Sequence, residues 1–104
     1  RADNPPYVPS NAVPIRPERV IAEVNAVTDA DTIVVADASY SSGWVMSHID
    51  IHAPARAVLS PRGTGMIGWG FAAALGAALG RRDKTVICVT GDGGFHYLLG
   101  ELET

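Results

Sequence analysis

The chain has 104 residues, 47% of them hydrophobic and 18% charged, with a net charge of −3 at pH 7. That length allows one small domain with a modest core. A pI near 5.4 leaves no broad basic surface of the kind nucleic-acid binding needs. Its one cysteine, Cys88, excludes a disulfide framework, argues for a reducing, cytoplasmic setting and, inside the apolar run 86–89, reads as a buried core residue.

In chain order, RADNPPYVPSNAVP (1–14) holds four prolines and no apolar run. It reads as an extended arm or interdomain linker, not a signal peptide. Arg16-Pro17-Glu18 followed by RVIAEVNAV predicts a helix with Pro in its first turn and Val20, Ile21, Val24 and Val27 on one face. The segment DADTIVVADAS gives a short apolar strand over 32–36, closed by Asp37. A loop then enters a short helix, with Ser41 or Ser42 as its cap.

A second short strand is predicted over 56–59, ended by Pro61, and a glycine-rich loop then leads into a helix over about 68–79. Residues 81–84 form a polar turn, TVICVT (85–90) is a further strand, and the chain is read as helical again from Gly94. Residues 63–80 carry no charge, but six of the eighteen are glycine. They read as a loop and a buried helix, so no membrane partner is predicted.

The alternation of helices with strands apolar on both faces predicts an α/β fold, a parallel sheet flanked by helices. Ligands of such sheets bind beyond the carboxyl ends of the strands. Three polar, glycine- or serine-rich segments fall at those ends: 37–42, 61–68 and 91–94.

In the last of these, Gly91-Asp92-Gly93-Gly94 sets one acid among three glycines. Glycines at a strand-to-helix turn let backbone N–H groups approach a diphosphate closely. An acid there would repel phosphate unless a hard divalent cation lay between them. The plainer alternative, equally weighted on spacing alone, is that Asp92 caps the next helix. Gly63-Thr64-Gly65-Met66-Ile67-Gly68 fits the GxGxxG dinucleotide fingerprint, although Pro61 and Arg62 separate it from its strand.

Ser39, Tyr40, Ser41 and Ser42 offer hydroxyls either for phosphate or for helix capping. His48 and His52 have helical i, i+4 spacing, but Pro54 follows closely and a solvated helix end is the better reading. Ala72, Gly76 and Gly80 make a stripe suited to close packing.

Together, the GDGxF run at 91–95, the Glu101-Leu102-x-Thr104 ending and the block from Gly65 to Ala77 resemble one family. It is the thiamine diphosphate-dependent enzymes of the acetolactate synthase, pyruvate decarboxylase and benzoylformate decarboxylase group. The resemblance runs over 15–104 and matches the first part of the diphosphate-binding (PP) domain, so that the fold is incomplete in this chain. It implies thiamine diphosphate with Mg2+, Ca2+ or Mn2+ as cofactors. Asp92 would be the metal ligand, and Gly91, Gly93 and Gly94 would lie along the diphosphate. Gly65, Met66 and Ile67 would meet the aminopyrimidine, with Ile67 as the wedge beneath a bent cofactor. Ala38, Ser39, Tyr40 and Ser41 would hold the other side of the diphosphate.

Two departures from the family pattern stand out. Ala-Ser-Tyr-Ser replaces the usual glycine-containing DxG-x-H/Q stretch, and Ala72 replaces Pro. The implied activity is carbanion chemistry on a 2-oxoacid, favouring an acetolactate synthase-like carboligase over a simple decarboxylase. The resemblance places no catalytic residue in this chain. The activating glutamate would come from a pyrimidine-binding domain on a partner subunit of a homodimer or homotetramer. The remaining metal ligand would lie beyond Thr104, and the 104 residues alone would be inactive. A dinucleotide-binding dehydrogenase domain and a non-catalytic regulatory relative are the alternatives of other classes.

Overall fold

A computed structural model describes residues 10–52 and 57–104. The proline-rich stretch 1–9 and Arg56 of the expected second strand lie outside them. The elements are α1 (Pro17–Val27), β1 (Thr32–Ala36), α2 (Tyr40–His48), β2 (Val58–Leu59), α3 (Trp69–Gly80), β3 (Thr85–Val89) and α4 (Asp92–His96), followed by a 3-10 turn, Leu99–Glu103. Pro17 sits in the first turn of α1, where its missing N–H costs nothing. Arg19 and Glu23 pair one turn apart at 2.6 Å on the outer face of α1.

The sheet is parallel, in the order β2-β1-β3. Because β2 and β3 flank β1, the chain first steps to one side of β1 and then crosses back over it. Right-handed crossovers in opposite directions put their helices on opposite faces. Packing shows this directly. Val34 and Ala36 of β1 join Ile21 of α1, Val45 of α2 and Ile49 just after α2 in the main core. Side chains alternate along a strand, so the fully buried Val35 faces the other way, where α3 lies on β1 and β3.

A side-chain amide ties the first layer together. Asn25 donates to the carbonyl of His48 at 2.8 Å and accepts from the N–H of Asp50 at 2.9 Å, so α1 closes the end of α2.

Four expectations need correction. In this part of the sheet β3 pairs on one side only among the described residues, and Val86 to Val89 are partly exposed. Cys88 is therefore half-buried and not a core residue; burial, and after it the charge of Asp37, push its thiol up. The residue at the N-cap of α2 is Ser39, not Ser41 or Ser42, and no side chain caps that helix. The Ser42 hydroxyl instead donates back to the Ser39 carbonyl at 2.9 Å.

The helix expected from Gly94 begins two residues earlier at Asp92 and lasts five residues. The fourth correction concerns the small-residue stripe: Ala72, Gly76 and Gly80 are exposed, and a Cβ added at either glycine would meet nothing within 4 Å. The residues of α3 that pack closely are Gly70 and Ala74. No helix among the described residues is long and apolar enough to cross a membrane.

Candidate functional site

The chain leaves β1 toward α2 on one face and leaves β3 toward α4 on the other. There α4 meets α3 through an edge-on pair, Phe71 and Phe95, with ring centroids 5.4 Å apart. The carboxyl ends of β1 and β3 therefore border a crevice where the connections diverge, the usual ligand position of an open parallel sheet.

All three polar segments gather at this end. A Cβ built on Gly68 would lie 3.4 Å from the Gly94 carbonyl and 3.1 Å from the Tyr97 Cβ. One built on Gly91 would lie 3.9 Å from the Ser41 Oγ. The loop before α3 thus touches α4, and the serine loop touches the GDGG turn.

At the centre is Asp37, only 1% exposed. Its backbone N–H extends the β1–β3 ladder by donating to the Val89 carbonyl at 2.9 Å. Its carboxylate accepts from the N–H of Gly68 (2.9 Å to Oδ2, 3.1 Å to Oδ1), from the N–H of Gly70 at 2.8 Å and from the Thr90 hydroxyl at 3.2 Å. Gly68 and Gly70 carry N–H groups of the first turn of α3, which has no local side-chain cap. The N-cap position itself is Gly68, and Asp37 does the work of its missing cap side chain from thirty-odd residues earlier in the chain.

Burial by itself pushes the Asp37 carboxyl up. The N–H groups of Gly68, Gly70 and Ala38 and the Thr90 hydroxyl outweigh it, and the net position is below the usual carboxylate range. Two glycines make room for this group. A Cβ on Gly94 would stand 2.1 Å from the Asp37 Oδ2, and one on Gly70 2.7 Å from the Asp37 Cβ. The missing side chain of Gly94 is thereby explained by Asp37.

Beyond Asp37 the chain turns sharply. Ala38 is buried, whereas Ser39 is exposed and holds φ 71°, ψ −149°, a region almost reserved for glycine. Ser39 occupies the third position of Asp37-Ala38-Ser39, where the DxG pattern has its glycine, so the backbone keeps a glycine-like shape without the glycine. Tyr40 is 81% exposed and Ser41 is half-buried. Across the crevice, Gly65 also has positive φ (66°), and Met66 and Ile67 present apolar side chains that are 62% and 49% exposed.

Gly91, Asp92 and Gly93 are exposed, and a Cβ on Gly93 would meet nothing within 4 Å. The Asp92 carbonyl lies 2.9 Å from the His96 Nδ1, while its carboxylate has no hydrogen-bond partner among the described residues. No cluster of three or more His, Cys, Asp or Glu side chains able to hold a metal occurs among the described residues. His48 ends α2 and His52 lies beyond it, so the two do not share a helix; His48 stacks against Trp44 at 5.7 Å.

From sequence, Asp37 ends its strand and opens the polar segment 37–42, with no partner assigned to its side chain, and Thr90 has no role. The available signal was a helix start at 68–70 without Ser, Thr, Asp or Asn to cap it. The same geometry argues against the dinucleotide reading of Gly63 to Gly68. The first-turn N–H groups that a pyrophosphate would need there are already given to Asp37.

The model of the family described as "Thiamine pyrophosphate enzyme, C-terminal TPP binding domain" matches residues 37–104. A probable acetolactate synthase large subunit of Methanococcus aeolicus is 36% identical over 104 residues, covering 95% of this chain and 17% of that protein. The acetolactate synthase large subunit of Lactococcus lactis subsp. lactis is 36% identical over 96 residues, covering 92% of this chain and 16% of its own length. The isozyme 1 large subunit of Escherichia coli is 31% identical over 97 residues, 93% of this chain and 17% of its own. The chain spans about one sixth of the length of these relatives.

Proposed function

The chain belongs to the thiamine pyrophosphate enzymes, as part of their C-terminal TPP-binding domain, and from that premise we propose that it forms the diphosphate- and metal-binding side of an acetolactate synthase-like carboligase acting on 2-oxoacids. The observation that carries the reading is the contrast at the crevice. Asp92 is an exposed carboxylate with no donor among the described residues, and Gly91 before it lies beside the Ser41 hydroxyl. A carboxylate left without donors in a glycine-rich turn suits a divalent cation.

The residues fit the cofactor in two further respects. Ser41, whose Oγ lies 3.9 Å from a Cβ built on Gly91, and the exposed Tyr40 beside it would supply hydroxyl donors for the diphosphate oxygens. Met66 and Ile67 hold apolar surface open beside Gly65, which an aminopyrimidine ring would cover. When bound, thiamine diphosphate would supply the carbanion chemistry that decarboxylation and carboligation of a 2-oxoacid require.

The chain's own residues bind and orient. Asp92 would hold Mg2+, Gly91 and Gly93 would let the backbone approach the diphosphate, and Ile67 would wedge the rings. Since a single carboxylate does not complete a magnesium shell, the remaining oxygens would come from the diphosphate, water and the rest of a longer polypeptide. That polypeptide, as a homo-oligomer with the cofactor between subunits, would also supply the glutamate facing the pyrimidine.

Titration calorimetry of the intact protein with thiamine diphosphate tests this. Binding is expected to require Mg2+, to be abolished in Asp92→Asn, and to accompany acetolactate formation from pyruvate. Metal-independent binding, or wild-type affinity in Asp92→Asn, would overturn the reading.

A further inference from the structure

We propose, resting on the thiamine diphosphate reading above, that Asp37 is a positioning residue of the site: its carboxylate locks the 65–68 loop to the 90–94 turn, so the two sides of the crevice are in register before any ligand arrives. Its donors come from both sides, the Gly68 and Gly70 N–H groups from one and the Thr90 hydroxyl from the other. A serine or aspartate at the start of α3 itself would cap that helix equally well, but could not reach across to Thr90. An acid at the end of the central strand does both.

The fit is specific to a carboxylate. Oδ1 accepts from Gly68 and Gly70, and Oδ2 accepts from Gly68 and Thr90. An asparagine in the same place would turn an N–H donor toward a backbone N–H whichever way it flipped. A glutamate has no room, because Gly70 already lies against the Asp37 backbone, its built Cβ 2.8 Å from the Cα and 2.9 Å from the N.

Asp37 touches none of the presumed ligand-facing groups at Asp92, Met66 or Ile67. It acts through the loops that carry them: Ile67 immediately precedes Gly68, and Asp92 lies two residues from Thr90 and from Gly94. Holding these loops together in advance removes an ordering cost from binding.

The test uses the intact protein with thiamine diphosphate and Mg2+. It reads the cofactor Kd by fluorescence quenching, the circular dichroism induced in the bound cofactor, and the apo-protein Tm. Asp37→Asn is expected to weaken cofactor binding about tenfold or more, since hydrogen bonds to a buried charge are lost, and to change the dichroism per mole bound. Thr90→Val removes one bond from one side and is expected to weaken binding by about threefold to tenfold, with Thr90→Ser restoring it.

If Asp37→Asn does not fold, the Thr90 pair decides. Wild-type affinity and dichroism in the folded variants, whatever their fall in Tm, would reduce Asp37 to a structural cap and overturn the inference. Failure of the wild-type protein to bind the cofactor would instead defeat the functional reading on which it rests.

Discussion

Two aspartates stand at neighbouring strand ends, and the chain treats them in opposite ways. Asp37, after β1, is 1% exposed and receives hydrogen bonds from three residues of two loops. Asp92, after β3, is exposed and receives none from the described residues. The same functional group is a structural tie where the protein meets its hydrogen-bonding demand, and is left available for the proposed cation where no described residue meets it. In a glycine-rich loop, the donors around an acid therefore say more about its use than the glycines do.

The comparison breaks most severely at Gly94. Gly94→Ala would drive a methyl to 2.1 Å from the Asp37 Oδ2 and 2.8 Å from the Thr90 Oγ1. A loss of about 3 kcal/mol or more is expected, read as a fall in denaturation midpoint, because neither the backbone nor the buried carboxylate can give way. At Asp37 itself, Asp37→Asn is expected to lose about 2 to 3 kcal/mol of stability by leaving a buried N–H without its acceptor.

Asp37 also carries a pH signature. Its folded-state pKa lies below the ordinary value of 3.8, so its contribution is complete above about pH 4 and is lost as pH falls through the depressed value. Acid unfolding of wild type should be steeper below pH 4 than that of Asp37→Asn, in which the lowered carboxyls of Asp29 and Asp83 still contribute.

Ser39→Gly works in the other direction. Relief of the strain at φ 71° exceeds the entropy a glycine adds to the unfolded chain, and a gain of about 1 kcal/mol is expected in thermal melts. The smallest stability effect belongs to Asp92. With no hydrogen-bond partner for its carboxylate among the described residues, Asp92→Asn should stay within about 0.5 kcal/mol of wild type in denaturant titration while abolishing metal-dependent cofactor binding.

Much of the fold was legible because apolar runs and proline punctuation are local signals. Thr32–Ala36 was placed to the residue, and α1, α3 and β3 to within one or two. Periodicity could not rank the strands, because a five-residue apolar run looks the same with one neighbour or two, whereas among the described residues β1 is flanked on both sides and β3 on one. Nor could spacing choose between the stripe at 72, 76 and 80 and the packed pair Gly70 and Ala74: a repeat of four fixes the period of a helix face but not which face is turned inward. At the site, the convergence of three loops followed from parallel topology. The part played by Asp37 did not, because its partners lie 31, 33 and 53 residues away, and two of them are backbone N–H groups carrying no side-chain signal.

The remote cap on α3 has a consequence measured in time. First-turn amides of a helix ordinarily exchange with deuterium quickly, having no acceptor within the helix. Those of Gly68 and Gly70 are bonded to a buried carboxylate at the end of the central strand. Their exchange clock should run with the opening of β1 and not with the fraying of α3, so a loop of glycines should count among the slow amides of the molecule.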